Sequence, residues 1–525
     1  MSLFKSVATF GGLTLVSRIT GFFRDMVLAN MLGAGAMADA FVVAFKLPNL
    51  FRSLFAEGAF TSAFVPLFSQ KLVGDGKKKA IFFAAQAMSV LVVIVGLFVV
   101  LFEIGMPYVV DVLAPGFSGD EGKTELAVEL CRITFPFLLL ISIVSFQGGI
   151  LNSFEKFAAP AAAPIILNLT MIFSAFVIVP YMPTAAHGIA LGITIAGLVE
   201  VMWLYLFLRR IDVKIHPYLH IIKIMHNPEI KTLFKRIAPG VVGAGIYQIN
   251  MAVDTILVSL VGTGAISWLY YANRLQQLPL GVVGAAISVA LLPILSKYLK
   301  AGDLQNARDT QDKAVEYGLL LSFPTAVLLI VLAEPIVKLL FQHGRFLTSD
   351  AQMTANAVIA YSIGLPLYVM TKALMPNFFA RGDTITPVKY SAWVFVTNLV
   401  FNLILMRYYG HVGIAMATTI AAFVSLAQYV VGLKKRGYWS FKKPLIKKMC
   451  KIIAVSVLTG FVVKAANVFI YECFPGYDEH KLSLLLVLGV LGITAFVFFA
   501  TAAIMCSIIN YREILQMVRN KYGKN

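Results

Sequence analysis

The sequence has 525 residues and a net charge of +18, and 59% of its residues are hydrophobic whereas only 13% are charged. Soluble domains carry about 25% charged residues, so this composition excludes an ordinary soluble protein. The basic residues lie mainly in short loops between apolar stretches, which indicates a membrane protein and argues against nucleic acid as a partner.

The apolar stretches recur along the chain and are long enough to cross a hydrocarbon core of ~30 Å. They predict an all-α polytopic membrane protein with fourteen transmembrane helices. Loops after even-numbered spans carry most of the lysines and arginines, which predicts that both termini are cytoplasmic. The predicted spans lie near 7–31, 37–69, 80–106, 126–152, 159–181, 187–209, 237–261, 265–296, 314–341, 351–378, 387–407, 411–433, 448–470 and 483–509.

An internal repeat relates the first and second halves of the chain. Asp25, followed by the glycine turn at 33–35, recurs as Asp254, followed by a similar turn at 262–264. Six spans per copy predict two six-helix lobes in parallel repeat, with a transport site at the midplane between them. The predicted domains are an N-lobe (1–211), an amphipathic cytoplasmic linker (212–236), a C-lobe (237–436) and a C-terminal helix pair with a basic tail (437–525).

The first two predicted spans contain an unusual number of charges: Arg18, Arg24, Asp25, Asp39, Lys46, Arg52 and Glu57. Each charge at the centre of a bilayer helix costs about 2.5–3.5 kcal/mol, so these side chains are expected to face a wet cavity or one another. In the second case Arg24 would pair with Asp39, and Arg52 with Glu57. Asp39, Lys46 and Glu57 share one face of an ideal helix. Pro48 is expected to interrupt that helix and to redirect Arg52.

Cations outnumber acids in this set, and Arg274 in span 8 adds another. The planar fork of arginine suits phosphate oxygens, and its charge is not lost on burial. A lipid head group with a diphosphate is therefore the ligand that these residues favour. No catalytic set of side chains stands out, so the chain is predicted to be a transporter rather than an enzyme.

Three segments resemble the MurJ (MviN) family of lipid II flippases, in the multidrug/oligosaccharidyl-lipid/polysaccharide exporter superfamily. They are SRITGFFRD, ADAFVVAFKLPNLFRSLFAEGAFTSAFVPLF and WLYYANRLQQLPLGVVGAAISVALLPILS. The resemblance implies alternating access and export of the undecaprenyl-linked peptidoglycan precursor across the bacterial inner membrane. It also implies that spans 13 and 14 form a groove for the polyprenyl tail. The substrate-binding residues expected from charge and resemblance together are Arg18, Arg24, Asp39, Lys46, Arg52, Glu57 and Arg274.

A second polar set consists of Asp254 in span 7, Asn398 and Asn402 on one face of span 11, and Thr418 in span 12. The resemblance implies a sodium site here, although Asn402 stands where some relatives have a second carboxylate. Hydrogen bonding between helices is the alternative interpretation. No other cofactor is expected.

The function expected is flipping of lipid II from the cytoplasmic to the periplasmic leaflet by a monomer surrounded by membrane lipids. One alternative is a cation-coupled drug antiporter of the same superfamily, which predicts an acidic cavity rather than a basic one. Another is a membrane enzyme acting on polyprenyl lipids, which predicts carboxylates or histidines in loops at the membrane surface.

Overall fold

The computed structural model describes residues 3–53, 55, 59–120, 122–215, 218, 224 and 227–508. The first half of the chain forms α1 (Leu3–Leu32), α2 (Ala36–Arg52), α3 (Ala59–Gly74), α4 (Lys77–Ile104), α5 (Met106–Leu113), α6 (Lys123–Thr134), α7 (Phe137–Ser153), α8 (Ala158–Val177), α9 (Ala185–Arg210) and α10 (Pro228–Ser259). The second half forms α11 (Ala265–Pro279), α12 (Ala285–Lys300), α13 (Leu304–Val331), α14 (Ala333–Phe341), α15 (Thr348–Leu374), α16 (Pro376–Phe379), α17 (Ile385–Lys435), α18 (Lys443–Cys473) and α19 (Lys481–Met505).

The all-α class and the polytopic membrane character are confirmed. Within the described residues, ten helices are long and apolar enough to cross a membrane. Some expected spans are two helices in series, as in α6 and α7, which meet at Pro136. The expected spans 387–407 and 411–433 are the two arms of α17, which bends at Gly410 with φ 55° and ψ −132°. The count of fourteen spans remains a prediction.

The chain forms two compact units, of which the first comprises Met1–Ser267 together with His343–Leu347. In this unit α1 packs against α8, α8 against α9, and α2 against α6. Glycines on α9 permit close approach of its neighbours, since a Cβ at Gly192 would lie 2.5 Å from Ser174 Cβ. Small residues at helix contacts are typical of membrane bundles, where dispersion forces replace the hydrophobic effect.

The second unit comprises Trp268–Gln342 and Thr348–Asn525. Here α13 packs against α15 and α18, α15 packs against α17, and α18 packs against α19. Phe378 and Leu433 are fully buried in a hydrophobic cluster of this unit. The helix pair α18 and α19 is therefore attached to this unit through α13.

The seventh predicted span, which the repeat assigns to the C-lobe, is α10 and lies in the first unit, where it packs against α3. Asn227 caps this helix by accepting a hydrogen bond from the backbone N–H of Glu229. The Glu229 carboxylate forms an ion pair with Lys71. Most of the interior of the predicted amphipathic linker lies outside the described residues.

The expectation that Pro48 interrupts its helix is wrong, because α2 continues through it to Arg52. Proline lacks the N–H that would normally bond the carbonyl four residues earlier, here that of Ala44. The Thr134 hydroxyl of α6 donates to this carbonyl instead, at 2.8 Å. Both residues are fully buried. A neighbouring helix thus satisfies the acceptor, as is common for prolines in membrane helices.

Candidate functional site

Arg24 is buried and paired with its neighbour in the chain. Its Nη2 and Nε atoms lie 2.7 and 3.1 Å from Asp25 Oδ1. Nη1 donates to Asn168 Oδ1 on α8, at 3.0 Å. The guanidinium carbon also lies 5.2 Å from the centre of the Phe45 ring. This arrangement fixes the position of the cation on α1 and shows that the expected pairing of Arg24 with Asp39 is wrong.

Asn168 completes this arrangement by bonding back to the helix that carries Arg24. Its Nδ2 atom donates to the Ser17 carbonyl at 3.0 Å and lies 3.1 Å from the Thr20 hydroxyl. A Cβ at Gly21 would lie 3.3 Å from the same amide nitrogen. Gly21 therefore provides the space in which α8 approaches α1, and Asn168 orients Arg24.

Asp39 lies in the first turn of α2 and is completely buried. Its Oδ2 atom accepts from Lys123 Nζ at 3.1 Å and from the Gly264 N–H at 2.7 Å. Its Oδ1 atom accepts from the N–H and the hydroxyl of Ser267, at 2.9 and 2.6 Å. We call Asp39, Lys123, Gly264 and Ser267 the Asp39 cluster.

The Asp39 cluster places a carboxylate at the N-terminus of α11, which begins at Ala265. Unbonded N–H groups and the positive end of the helix dipole favour an anion there. Lys123 supplies a full positive charge although only 3% of its surface is exposed. Its ammonium group also lies 4.4 Å from the centre of the Phe117 ring. One carboxylate therefore fastens α2, the start of α6 and the start of α11 together.

Sequence reasoning did not identify Lys123 as a site residue. The signal was present, since Lys123 is an isolated cation in a predicted outer loop that is otherwise acidic. The 3₁₀ turn Pro115–Gly119 of this loop packs closely on the end of α10. A Cβ at Gly116 would lie only 1.9 Å from the Ser259 carbonyl oxygen, so the contact requires glycine.

The remaining predicted substrate residues lie in different settings. Arg18 is exposed on α1, whereas Lys46 and Arg52 are partly exposed on α2. Arg274 belongs to the second unit, where its Nη2 donates to the Tyr270 hydroxyl at 3.0 Å. Glu57 lies outside the described residues, so its expected pairing with Arg52 stays a prediction.

The turn between α1 and α2 contacts the short segment His343–Leu347 of the same unit. Gly33 has φ +71°, and a Cβ there would lie 2.5 Å from the Arg345 carbonyl oxygen. The Arg345 N–H donates to the Asn30 carbonyl at 3.0 Å. Both the backbone conformation and the close approach therefore require glycine at position 33.

The candidate sodium ligands belong to both units. Asp254 lies on α10 in the first unit, and the other three lie on α17 in the second. Asn402 donates to Asn398 Oδ1 at 2.9 Å, and Asn398 Nδ2 lies 3.4 Å from the Thr418 hydroxyl. These contacts join the two arms of α17, as the hydrogen-bonding alternative predicts, and they leave the sodium hypothesis untested.

Comparisons with known proteins give a consistent result. The family model described as lipid II flippase MurJ matches residues 28–488. A relative from Rickettsia prowazekii, named "Probable lipid II flippase MurJ", is 35% identical, with 97% of this chain and 99% of the relative covered. A lipid II flippase MurJ from Burkholderia cenocepacia is 31% identical, with 88% and 90% covered.

Solved structures agree with these relatives. A lipid II flippase MurJ in an inward closed conformation matches with a TM-score of 0.78 and 27% identity, over 96% of this chain and 99% of that one. An inward-facing MATE family transporter matches with a TM-score of 0.68 but only 15% identity, over 80% of this chain and 94% of that one, and so shares the fold alone. The chain therefore belongs to the lipid II flippase MurJ family.

Proposed function

We propose that this protein transports lipid II across the bacterial inner membrane, from the cytoplasmic to the periplasmic leaflet. The observation that carries the proposal is the match to the flippase family along nearly the whole chain. Proteins of this family are transporters rather than catalysts, in agreement with the absence of a catalytic set in the sequence. The drug-antiporter alternative is not favoured, because the MATE likeness extends to the fold alone.

The transport model has fourteen spans in two six-helix lobes, with α18 and α19 serving the polyprenyl tail. Arg18, Arg24, Arg52 and Arg274 bind the diphosphate of the head group in this model. Supporting it, Arg24 is held in a fixed orientation by Asp25 and Asn168. A preorganised guanidinium loses little entropy when it binds phosphate, and it binds with two parallel hydrogen bonds.

The Asp39 cluster serves in this model as a closure on the predicted periplasmic side. It joins the first turn of α2 to the N-terminus of α11 through a single buried carboxylate. When these helix ends separate, Asp39 and Lys123 become exposed to water. Hydration of the two charges then replaces the hydrogen bonds and the ion pair that they lose. The cluster can therefore alternate between a paired, dry state and a separated, hydrated one, as alternating access requires.

The test of the proposed function is replacement of the native flippase in depleted bacterial cells. Cells that produce this protein should grow, and their lipid II should reach the outer leaflet, as measured by its accessibility to an externally added enzyme. Arg274→Ala should keep lipid II in the inner leaflet at equal membrane expression. The matched control is Arg407→Ala, because Arg407 is exposed near the predicted outer end of span 11. Accumulation of lipid II in the inner leaflet with the unaltered protein would refute the proposal.

Coupling to sodium through Asp254, Asn398, Asn402 and Thr418 is a further part of the model. Oxygen ligands suit sodium, and an ion that binds one conformation better biases the transporter toward it. Sodium should then raise the thermal midpoint of the purified protein, and Asp254→Ala should abolish that increase. Potassium at equal concentration is the control for ionic strength. Identical responses to the two ions would exclude this site.

A further inference from the structure

The segment 434–451 runs from the last turn of α17 through the connection to the first turns of α18, and it is strongly basic. It reads KKRGYWSFKKPLIKKMCK, with eight cations and no acid in eighteen residues. Both helices that it joins are long and apolar enough to cross a membrane. The segment therefore lies where two spans meet the membrane surface. We call it the basic loop.

The inner side of the basic loop is fixed to the second unit. Trp439 is buried, and its indole N–H donates to Asp312 on α13 at 2.5 Å. Lys448 bonds Glu316 on the same helix at 2.7 Å. Arg436 donates to Asp383, at 2.6 Å, in the turn before α17. These contacts hold the backbone of the loop against folded protein, so its outward side chains have a defined position.

The outer side of the basic loop carries four exposed lysines. No carboxylate within the described part of the chain forms an ion pair with any of them. Their charge is therefore balanced by solvent or by an external anion. They are Lys434, Lys435, Lys443 and Lys447.

The position of Lys443 at the start of α18 points to an external anion. Lys443 is the first residue of the helix, and the side chain of the N-cap residue Lys442 makes no capping hydrogen bond. The positive end of a helix dipole favours acidic groups and disfavours lysine. Lys434 and Lys435 lie in the last turn of α17, where the dipole favours cations. Lys443 gains nothing from the dipole of α18, whereas an anion bound at this end would interact favourably with both the lysine and the dipole.

The aromatic residues Tyr438, Trp439 and Phe441 pack in the hydrophobic core of the second unit and so hold the basic loop against the protein. Clusters of lysines next to a membrane span attract acidic lipids. We propose that the basic loop binds the phosphate head groups of anionic phospholipids at the membrane surface. This surface is separate from the residues proposed to bind lipid II, and binding here ties the junction of α17 and α18 to the surrounding lipid.

The experiment uses the full-length protein in a neutral detergent, without lipid II. Phosphatidylglycerol and phosphatidylcholine are added in turn, and the bound lipid is counted by native mass spectrometry. The variant K434Q/K435Q/K443Q/K447Q is expected to bind phosphatidylglycerol at least about tenfold more weakly. Each lysine near anionic lipid adds to the attraction, and this variant removes four of them. Binding of phosphatidylcholine should not change.

The matched control is K156Q/K214Q/K235Q/K300Q, which removes four exposed lysines that lie outside the first turn of any helix. It should retain the phosphatidylglycerol affinity of the unaltered protein. Replacement of the four loop lysines by arginine should also retain it, which separates loss of charge from loss of fold. Equal losses in the two glutamine variants, or no preference of the unaltered protein for phosphatidylglycerol, would overturn the proposal.

Discussion

The Asp39 cluster predicts strong coupling between two buried charges. Asp39→Asn keeps an oxygen to accept from Ser267, but its amide group would face the Gly264 N–H and the Lys123 ammonium, which are both donors. Lys123→Met leaves the carboxylate with neutral donors only. Asp39→Asn therefore leaves the buried Lys123 with only the partly exposed Asp120 carboxylate, at 3.8 Å, and Lys123→Met leaves the buried Asp39 without a cation. The double variant D39N/K123M removes both charges.

The expected size follows from the burial of both partners, since the Lys123 and Asp39 side chains are 2% and 0% exposed. Removing one member of such a pair costs about 3–5 kcal/mol, because the other charge stays desolvated. At about 2 °C per kcal/mol this corresponds to a decrease of about 6–10 °C in the thermal midpoint. The double variant should lose less than the sum of the single losses, by about 1–3 kcal/mol.

The assay is thermal unfolding of the purified protein in detergent, followed by tryptophan fluorescence, for the unaltered protein and all three variants. Lys156→Met serves as a control, because Lys156 is an exposed lysine in the loop between α7 and α8. If the two single losses add to within about 0.5 kcal/mol in the double variant, the two charges are independent. That result would refute the closure assigned to this cluster.

Three further predictions concern other parts of the chain. The first concerns the four arginines Arg18, Arg24, Arg52 and Arg274. Alanine at any one of them should abolish growth of flippase-depleted cells at equal membrane expression, and lysine should restore growth only partly because it lacks the planar fork. Growth of all four alanine variants would contradict the diphosphate model. Gly33→Ala should lower the thermal midpoint, because residue 33 has a positive φ and the added Cβ would clash with the Arg345 carbonyl. Gly35→Ala should leave the midpoint unchanged, because no atom lies within 4 Å of the added Cβ. Equal midpoints for the two variants would show that position 33 does not require glycine. Hydrogen bonds from the backbone and hydroxyl of Thr386, and then Arg436, lower the pKa of Asp383 from 3.8 to about 2. The contribution of Asp383 to stability is therefore constant above pH 4 and is lost as the pH falls from about 4 to 2. The thermal midpoint of Asp383→Asn should not show this decrease between pH 4 and 2. Identical pH profiles for the variant and the unaltered protein would show that ionised Asp383 does not contribute to stability.

The sequence predicted the class of fold and the places where most helices lie, because apolar length and loop charge report directly on the membrane. It did not predict the pairing of the charges. Neighbouring residues on a helix point in different directions, so Asp25 was not an expected partner for Arg24. The long arginine side chain reaches it nevertheless, because Asn168 on α8 holds the other side of the guanidinium.

Lys123 shows a second limit of sequence reasoning. Its contact with Asp39 joins positions that are 84 residues apart, and periodicity within one helix carries no information about such a pair. Gly264 and Ser267 contribute mainly backbone N–H groups, which every non-proline residue has. The helix N-terminus beside Asp39 could be located from the turn at 262–264, but its proximity to Asp39 depends on the packing of whole helices.

The hydrogen bond from Thr134 to the Ala44 carbonyl makes the tolerance of one position depend on the residue at another. In the present sequence, Thr134→Val leaves that carbonyl without a donor in a dry interior, where the loss is severe. After Pro48→Ala, the restored N–H of residue 48 bonds the same carbonyl, and Thr134 becomes replaceable. The order of substitution therefore decides the outcome: a lineage can lose the threonine readily only after it has lost the proline.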